Sequence, residues 1–228
     1  MAVERQEDQA GDEARLHPHT QGPREADQLH DQAGAGRGRD GDRRQDEGAQ
    51  DPAVARPGDR GERAPALAGA RLALDPLRVD DAAELAPLLA DPALHAFTGG
   101  EPDTPAQLRA RVERQVRGRS PDGRDVWRNW VLRDGGTPVG TVQATIRPDG
   151  IAQVAWVVFT PYQGRGYARE AAVALVDALL AEGAPAVIAH IHPDHAASAA
   201  VARAAGLRPT EELHAGERRW RRDRDAKR

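Results

Sequence analysis

Past Ala70 the apolar residues recur in regular patterns, whereas over residues 1–66 they show neither a helical nor a strand period. Leu72 and Leu74 alternate with small or polar residues and predict a first strand. Leu77 to Val79 lead into Asp80-Asp81, read as an N-cap, and Leu85, Leu88 and Leu89 then form one stripe of a helix. Thr104-Pro105 has the form of an N-cap followed by proline at the first helical position. Leu108, Val112 and Val116 then recur at every fourth residue as a second amphipathic helix.

Three extended runs follow, at 126–132, 139–146 and 151–159, separated by Asp-Gly-Gly-Thr-Pro (134–138) and Pro-Asp-Gly (148–150). Both separators are turn chemistry, so three antiparallel strands are expected. The third run is apolar or small on both faces (Val154, Trp156, Val158; Ala155, Val157, Phe159), which places it inside the sheet. It enters a glycine-bearing loop at 160–166 and an Ala-rich helix to about Leu180. A short strand at 186–192, a helix at 195–205 stopped by Gly206, and a hairpin of 207–213 with 217–222 through His214-Ala-Gly216 complete the pattern. The order β, α, α, β, β, β, α, β, α, β, β predicts a mixed α/β layer fold.

Composition separates the two parts of the chain. Residues 1–66 hold five of the Ile, Leu, Val, Met, Phe, Trp and Tyr residues and the remaining 162 hold 41, so the first segment cannot build a core. The expected organisation is a disordered or spurious N-terminal extension at 1–66, one domain at 71–222 and a charged C-terminal tail at 223–228. Ten Arg against 15 acidic residues give the extension its negative charge, leaving 22 basic and 21 acidic residues beyond it. That balance argues against nucleic-acid binding. Lys227 is the only lysine, which fits a GC-rich coding sequence better than selection for phosphate contacts.

The absence of cysteine excludes disulfides, thiolate zinc sites and a cysteine nucleophile, and fits a reducing, cytoplasmic compartment. No apolar run reaches the roughly 18 residues that a membrane-spanning helix needs.

The chemistry concentrates where the interior strand turns into the Ala-rich helix. With Gly164 and Gly166 in that turn, backbone N–H groups converge at the positive end of the helix dipole, a cradle suited to a pyrophosphate. A Walker loop would need Gly-Lys-Ser/Thr, and a dinucleotide fingerprint would need three glycines in a parallel βαβ unit; neither is present. Gln163-Gly-Arg-Gly166-Tyr-Ala168 resembles the Gln/Arg-x-x-Gly-x-Gly/Ala motif of the GNAT superfamily of acyl-CoA N-acyltransferases. The segment from Pro161 to Ala171 resembles the branch containing ribosomal-protein N-terminal acetyltransferases. Similarity extends over 71–222 and includes Phe97-Thr-Gly-Gly-Glu-Pro102 and Gly206-Leu-Arg-Pro-Thr210.

The resemblance implies a GNAT fold with a splayed, mostly antiparallel central sheet. It further implies acetyl-CoA as cosubstrate without a metal, and transfer of acetyl to an amine acceptor, a small molecule or a protein N-terminus. A homodimer is compatible with it, and neither a membrane nor a nucleic-acid partner is expected. By the same resemblance the amides of Gln163, Gly164, Arg165, Gly166, Tyr167 and Ala168 hold the pyrophosphate. Trp156 and Val158 pair their main chain with the pantetheine arm, between strands 151–159 and 186–192. His195 stands where the family often carries an asparagine contacting that arm. Ala202 replaces the tyrosine often used as acid, and Ser198, matching a serine of this branch, is the implied donor to the thiolate; a serine bonding to its helix backbone is the alternative. Glu101 is the candidate acceptor of the amine proton, and Trp127, Asn129 and Trp130 are candidates to line the acceptor cleft.

Two other readings stay open. One is a GNAT-like module that binds CoA for regulation without turnover. The other starts from His190-Ile-His-Pro-Asp-His195, which resembles the His-x-His-x-Asp-His signature of metallo-β-lactamase-like hydrolases. Against it, only 33 residues follow His195, with His214 the sole remaining histidine.

Overall fold

The computed structural model describes residues 64–97 and 100–226. The expectation for the N-terminal extension therefore lies, over 1–63, outside the described residues. The strands are β1 (Leu67–Ala68), β2 (Leu72–Pro76), β3 (Val126–Asp134), β4 (Thr137–Ile146), β5 (Ala152–Val158), β6 (Ala186–Ile191), β7 (Arg208–His214) and β8 (Glu217–Asp223). The helices are α1 (Asp81–Leu89), α2 (Pro105–Val116), α3 (Tyr167–Ala181) and α4 (Ala196–Ala204). Short 3-10 turns at Pro92–His95 and Thr160–Tyr162 punctuate the loops.

All eight strands form one open sheet in the order β1-β2-β3-β4-β5-β6-β8-β7. Every pairing is antiparallel except β5 with β6. That parallel contact is brief, Ala152 opposite Val187 and Gln153 opposite Ile188, after which the two strands part. The splayed, mostly antiparallel sheet expected of the GNAT fold is thus present, with β5 in its interior.

Alternation along the strands gives the sheet two covered faces. Leu74, Trp130, Leu132, Val142, Ala144, Val154, Val187 and Ala189 bury one face against α3 and α4, through Ala171, Leu175, Val176, Leu179 and Ala202. On the other face α1 and α2 cover only part of the sheet, where Ala82, Leu85, Leu108 and Val112 meet Val131 and Phe159.

Thr104 accepts from the Gln107 amide (3.3 Å) while the Gln107 side chain accepts from the Thr104 amide (2.9 Å), so the expected N-cap is a full capping box. At α1 the outcome differs. Asp80 makes no side-chain cap; instead the Asp81 carboxylate reaches back to accept from the Arg78 amide (2.7 Å).

The described fold also takes in residues outside the limits that the apolar pattern indicates. Residues 64–66, grouped with the extension, belong to the packed structure: Ala64 packs on the core and the Pro65 carbonyl accepts from Trp130 Nε1 (2.6 Å). Tail residues are tied down as well, since Asp223 pairs with Ala186 and the Arg224 amide donates to the Pro185 carbonyl (3.0 Å).

Candidate active site

The site begins where β5 outruns its partner. The Phe159 amide donates to the Val139 carbonyl (3.0 Å), so alternation turns the main-chain groups of Val157 toward β4 and those of Trp156 and Val158 toward β6. Pairing with β6 has already ended at Gln153. Trp156 and Val158 consequently face a gap, with no strand of the described residues across from them. The Val158 carbonyl is capped by Gln163 Nε2 (3.0 Å), a partner supplied by the loop itself.

That loop follows the Thr160–Tyr162 turn, which takes up the Gln163 amide through the Thr160 carbonyl (3.3 Å). Gly164 (φ +76°) and Gly166 (φ +82°, the N-cap of α3) adopt left-handed conformations that side chains disfavour. The first backbone hydrogen bond of α3 runs from the Glu170 amide to the Gly166 carbonyl (3.1 Å), and no side chain caps the helix. From Gly164 through Arg169, consecutive N–H groups donate to no described residue. These amides, at the start of a 15-residue helix whose dipole is positive at this end, form an anion cradle. The free run begins one residue later than expected, because the Gln163 amide is engaged, and extends to Arg169.

The Tyr167 side chain turns inward: its hydroxyl donates to Asp134, and that bond, followed by burial, raises its pKa. Only its amide faces the cradle. The Ala168 side chain is half-buried. Arg165 donates to the Pro161 carbonyl (3.2 Å) and lies over the Tyr162 ring (5.6 Å).

Ser198 is the third residue of α4, half-buried, and its hydroxyl makes no hydrogen bond among the described residues, so it is not bonded to its helix backbone. Ala202, one turn on, is fully buried in the core. His195 caps α4 without a side-chain hydrogen bond; its ring stacks on Phe97 (4.1 Å, 14° between planes). Burial, followed by the neighbouring His192, holds the pKa of His195 below its ordinary value. Glu101 is exposed in the loop before α2 and pairs with no described residue.

On the sheet face opposite α3 and α4, level with the point where β5 and β6 part, Gln143, Thr145, Gln153, Ala155 and His190 line a shallow depression. Trp127 and Asn129 continue this face as cross-strand neighbours of Thr145 and Gln143. Trp130 does not: alternation places it on the other face, 1% exposed in the main core, which corrects the expectation that it lines the cleft.

The histidine motif is dispersed by the strand end. His190 packs its ring on His214 (5.1 Å), and its Nε2 accepts from Arg219 Nε (3.5 Å). Its pKa is pushed down to about 4 by burial and then by the charges of His214 and Arg219. His192 and His195 instead pack on Phe97. Among the described residues no three His, Asp or Glu side chains converge as a metal site.

Arg71 and Glu170, which no sequence signal singled out, tie the cradle to the start of β2. The Glu170 carboxylate accepts from the amides of Arg71 (2.5 Å) and Leu72 (2.9 Å) and from Arg71 Nε (3.0 Å). Burial pushes its pKa up, but these bonds outweigh that effect and hold it below the usual value. Arg71 Nη2 donates to the Arg165 carbonyl (3.1 Å) inside the glycine loop.

Residues 71–208 match the family model described as "Acetyltransferase (GNAT) domain". No curated protein matches the chain in sequence. Among solved structures, a GNAT-family acetyltransferase from Bacillus anthracis superposes with a TM-score of 0.61 at 17% identity, covering 71% of this chain and 99% of that one. A ribosomal-protein alpha-N-acetyltransferase in complex with coenzyme A gives 0.59 at 16% identity, covering 70% and 98%. An aminoglycoside acetyltransferase in complex with coenzyme A gives 0.56 at 14%, covering 67% and 95%. At these identities the structural likeness speaks for the fold, while the family match spans more than half of the chain. The chain, with its glycine-loop cradle and parted strands, belongs to the GNAT acetyltransferase family.

Proposed function

We propose that this protein is an acetyl-CoA-dependent N-acetyltransferase, and the observation that carries the reading is the run of amides from Gly164 to Arg169 that donate to no described residue, beside the gap between β5 and β6. The donor set fits a diphosphate: consecutive N–H groups, a helix dipole and two glycines that let the ligand approach the backbone closely. The gap fits an extended arm carrying amides, since the Trp156 main chain and the Val158 N–H need partners there. Bound acetyl-CoA supplies the acyl group already activated as a thioester. With no cysteine in the chain, the acceptor amine attacks that group directly.

In this reading the Ser198 hydroxyl, free of partners among the described residues, donates the proton that the departing thiolate needs. Glu101 receives the amine proton, directly or through water. His195, stacked on Phe97, is the contact to the pantetheine arm in place of the family's asparagine. The face bearing Trp127, Asn129 and Gln143 borders the acceptor. The acceptor is a small-molecule amine or a protein N-terminus, and solved neighbours include acetyltransferases of both kinds. The cysteine-free composition supports action in the cytoplasm. No helix among the described residues is long and apolar enough to cross a membrane.

One observation favours a second reading, a CoA-binding module without turnover: the position of the family's tyrosine is a buried Ala202. Calorimetry of the full chain with acetyl-CoA, followed by thiol release assayed across small amines and peptide N-termini, separates the readings. Binding with release supports the enzyme, binding without release from any acceptor supports the module, and absence of binding refutes both.

A further inference from the structure

We infer that Arg71, held in place by Glu170, is a positioning residue that aims the Gly166 N–H into the anion cradle; this rests on the reading of the 164–169 loop as a diphosphate seat. The loop has little packing of its own. A Cβ built on Gly164 would meet nothing within 4 Å, and Gly164 and Gly166 both allow their neighbouring peptides to rotate. Free N–H groups pointing to one place also repel one another. Something outside the loop must hold its peptide planes.

Arg71 does this at one defined plane. The Arg165 carbonyl and the Gly166 N–H belong to a single planar, trans peptide, so they point in opposite directions. Arg71 Nη2 takes the carbonyl at 3.1 Å, which turns the N–H away from Arg71. The guanidinium is oriented in turn. Its Nε donates to Glu170 Oε2 (3.0 Å), its Cζ lies over the Tyr167 ring (4.9 Å to the centroid), and the Tyr167 hydroxyl is anchored on Asp134. Gly69 leaves room for the carboxylate, since a Cβ there would stand 2.6 Å from Glu170 Oε1.

The pair has a second effect. A lone carboxylate in the first turn of α3 would repel a diphosphate, and Arg71 offsets that charge. A lysine could keep the ion pair but could not hold Glu170 and the Arg165 carbonyl together, because it lacks the planar fork.

The test uses the full chain labelled with ¹⁵N and titrated with coenzyme A. In the wild type the Gly166 amide resonance is expected to move strongly on saturation. In Arg71→Lys it should move little, and affinity should fall about tenfold, the weight of one charge-assisted hydrogen bond. The KM for acetyl-CoA should rise in parallel while the KM for the amine stays put, a split that a general loss of stability would not produce. If Arg71→Lys does not fold, Glu170→Gln carries the same test, with an expected loss of about threefold. Wild-type affinity and a wild-type Gly166 shift in the folded variant would overturn this inference and leave the functional reading standing. A wild-type chain that shows no response to coenzyme A would overturn the functional reading, and this inference with it.

Discussion

Replacing Gly140 by alanine tests the narrow spacing on which the gap depends. Gly140 lies in β4 opposite Val158. An alanine Cβ there would stand 3.1 Å from the Val158 Cα and 3.2 Å from Leu132 Cδ1, and closer still to the Val157 carbonyl oxygen. Leucine can swing its methyl aside, but both β5 atoms are backbone. The strand itself must therefore shift away from β4, toward the side on which Trp156 and Val158 face the gap. Overpacking of this kind costs about 1–3 kcal/mol. For a domain of this size each kcal/mol lowers the unfolding midpoint by about 2–4 °C, so a drop of about 2–12 °C is expected. The same shift narrows the gap, so affinity for acetyl-CoA should fall too. Thermal unfolding by circular dichroism and calorimetric titration read the two effects. Thr137→Ala at the exposed start of the same strand serves as control, expected within about 0.5 kcal/mol of the wild type. A Gly140→Ala midpoint equal to the control's would refute the argument from strand spacing.

Ser198→Ala should lower kcat about 100-fold while leaving the KM for acetyl-CoA nearly unchanged, measured by thiol release; an unchanged kcat would remove Ser198 from the mechanism. Ala202→Tyr, which restores the family's residue, should destabilise the protein by about 1–3 kcal/mol in urea unfolding, because Ala202 has no exposed surface into which a ring could turn. His190 should give stability a pH dependence. Its pKa is about 4 when folded against an ordinary value of 6.5, so between these the unfolded chain binds a proton that the folded chain does not. Stability is then lost as pH falls from 6.5 toward 4 and levels off below, and His190→Gln should flatten that part of a urea-midpoint profile.

Local chemistry was legible in the sequence wherever one element decides it. Thr104 and Pro105 mark the start of α2, and the two-faced apolar run of β5 needs a covered, interior place in the sheet. Gly164 and Gly166 mark left-handed backbone that few other residues adopt, so the cradle is legible in the sequence. What stayed hidden depends on distance along the chain. Arg71 meets Glu170 across 99 residues with no periodicity to announce it. The two residues of β1 are too few to show alternation, and Pro65 joins the fold through a carbonyl, which no side-chain pattern records. Asp80 and Asp81 are both plausible caps by type, and only the path of the backbone made Asp81 the one that folds back. Trp130 differs for another reason: strand alternation puts it on the face opposite Asn129, in the core. Ser198 and Glu101 carry no pattern of their own in the sequence, because a lone serine or glutamate is set apart by its neighbours in space and not by its spacing along the chain.

The two rungs joining β5 to β6, Ala152 with Val187 and Gln153 with Ile188, make the molecule two plates hung on a short hinge line. Strands β1 to β5 form one plate and β6, β8 and β7 the other, while α3 lies across the seam with its apolar side in the core they share. Rocking one plate against the other changes the width of the slot without disturbing a ladder inside either plate. Any change in the width of that slot would have to be taken up at those two rungs and in the packing under α3, because the ladders beside them, β4 with β5 and β6 with β8, run unbroken.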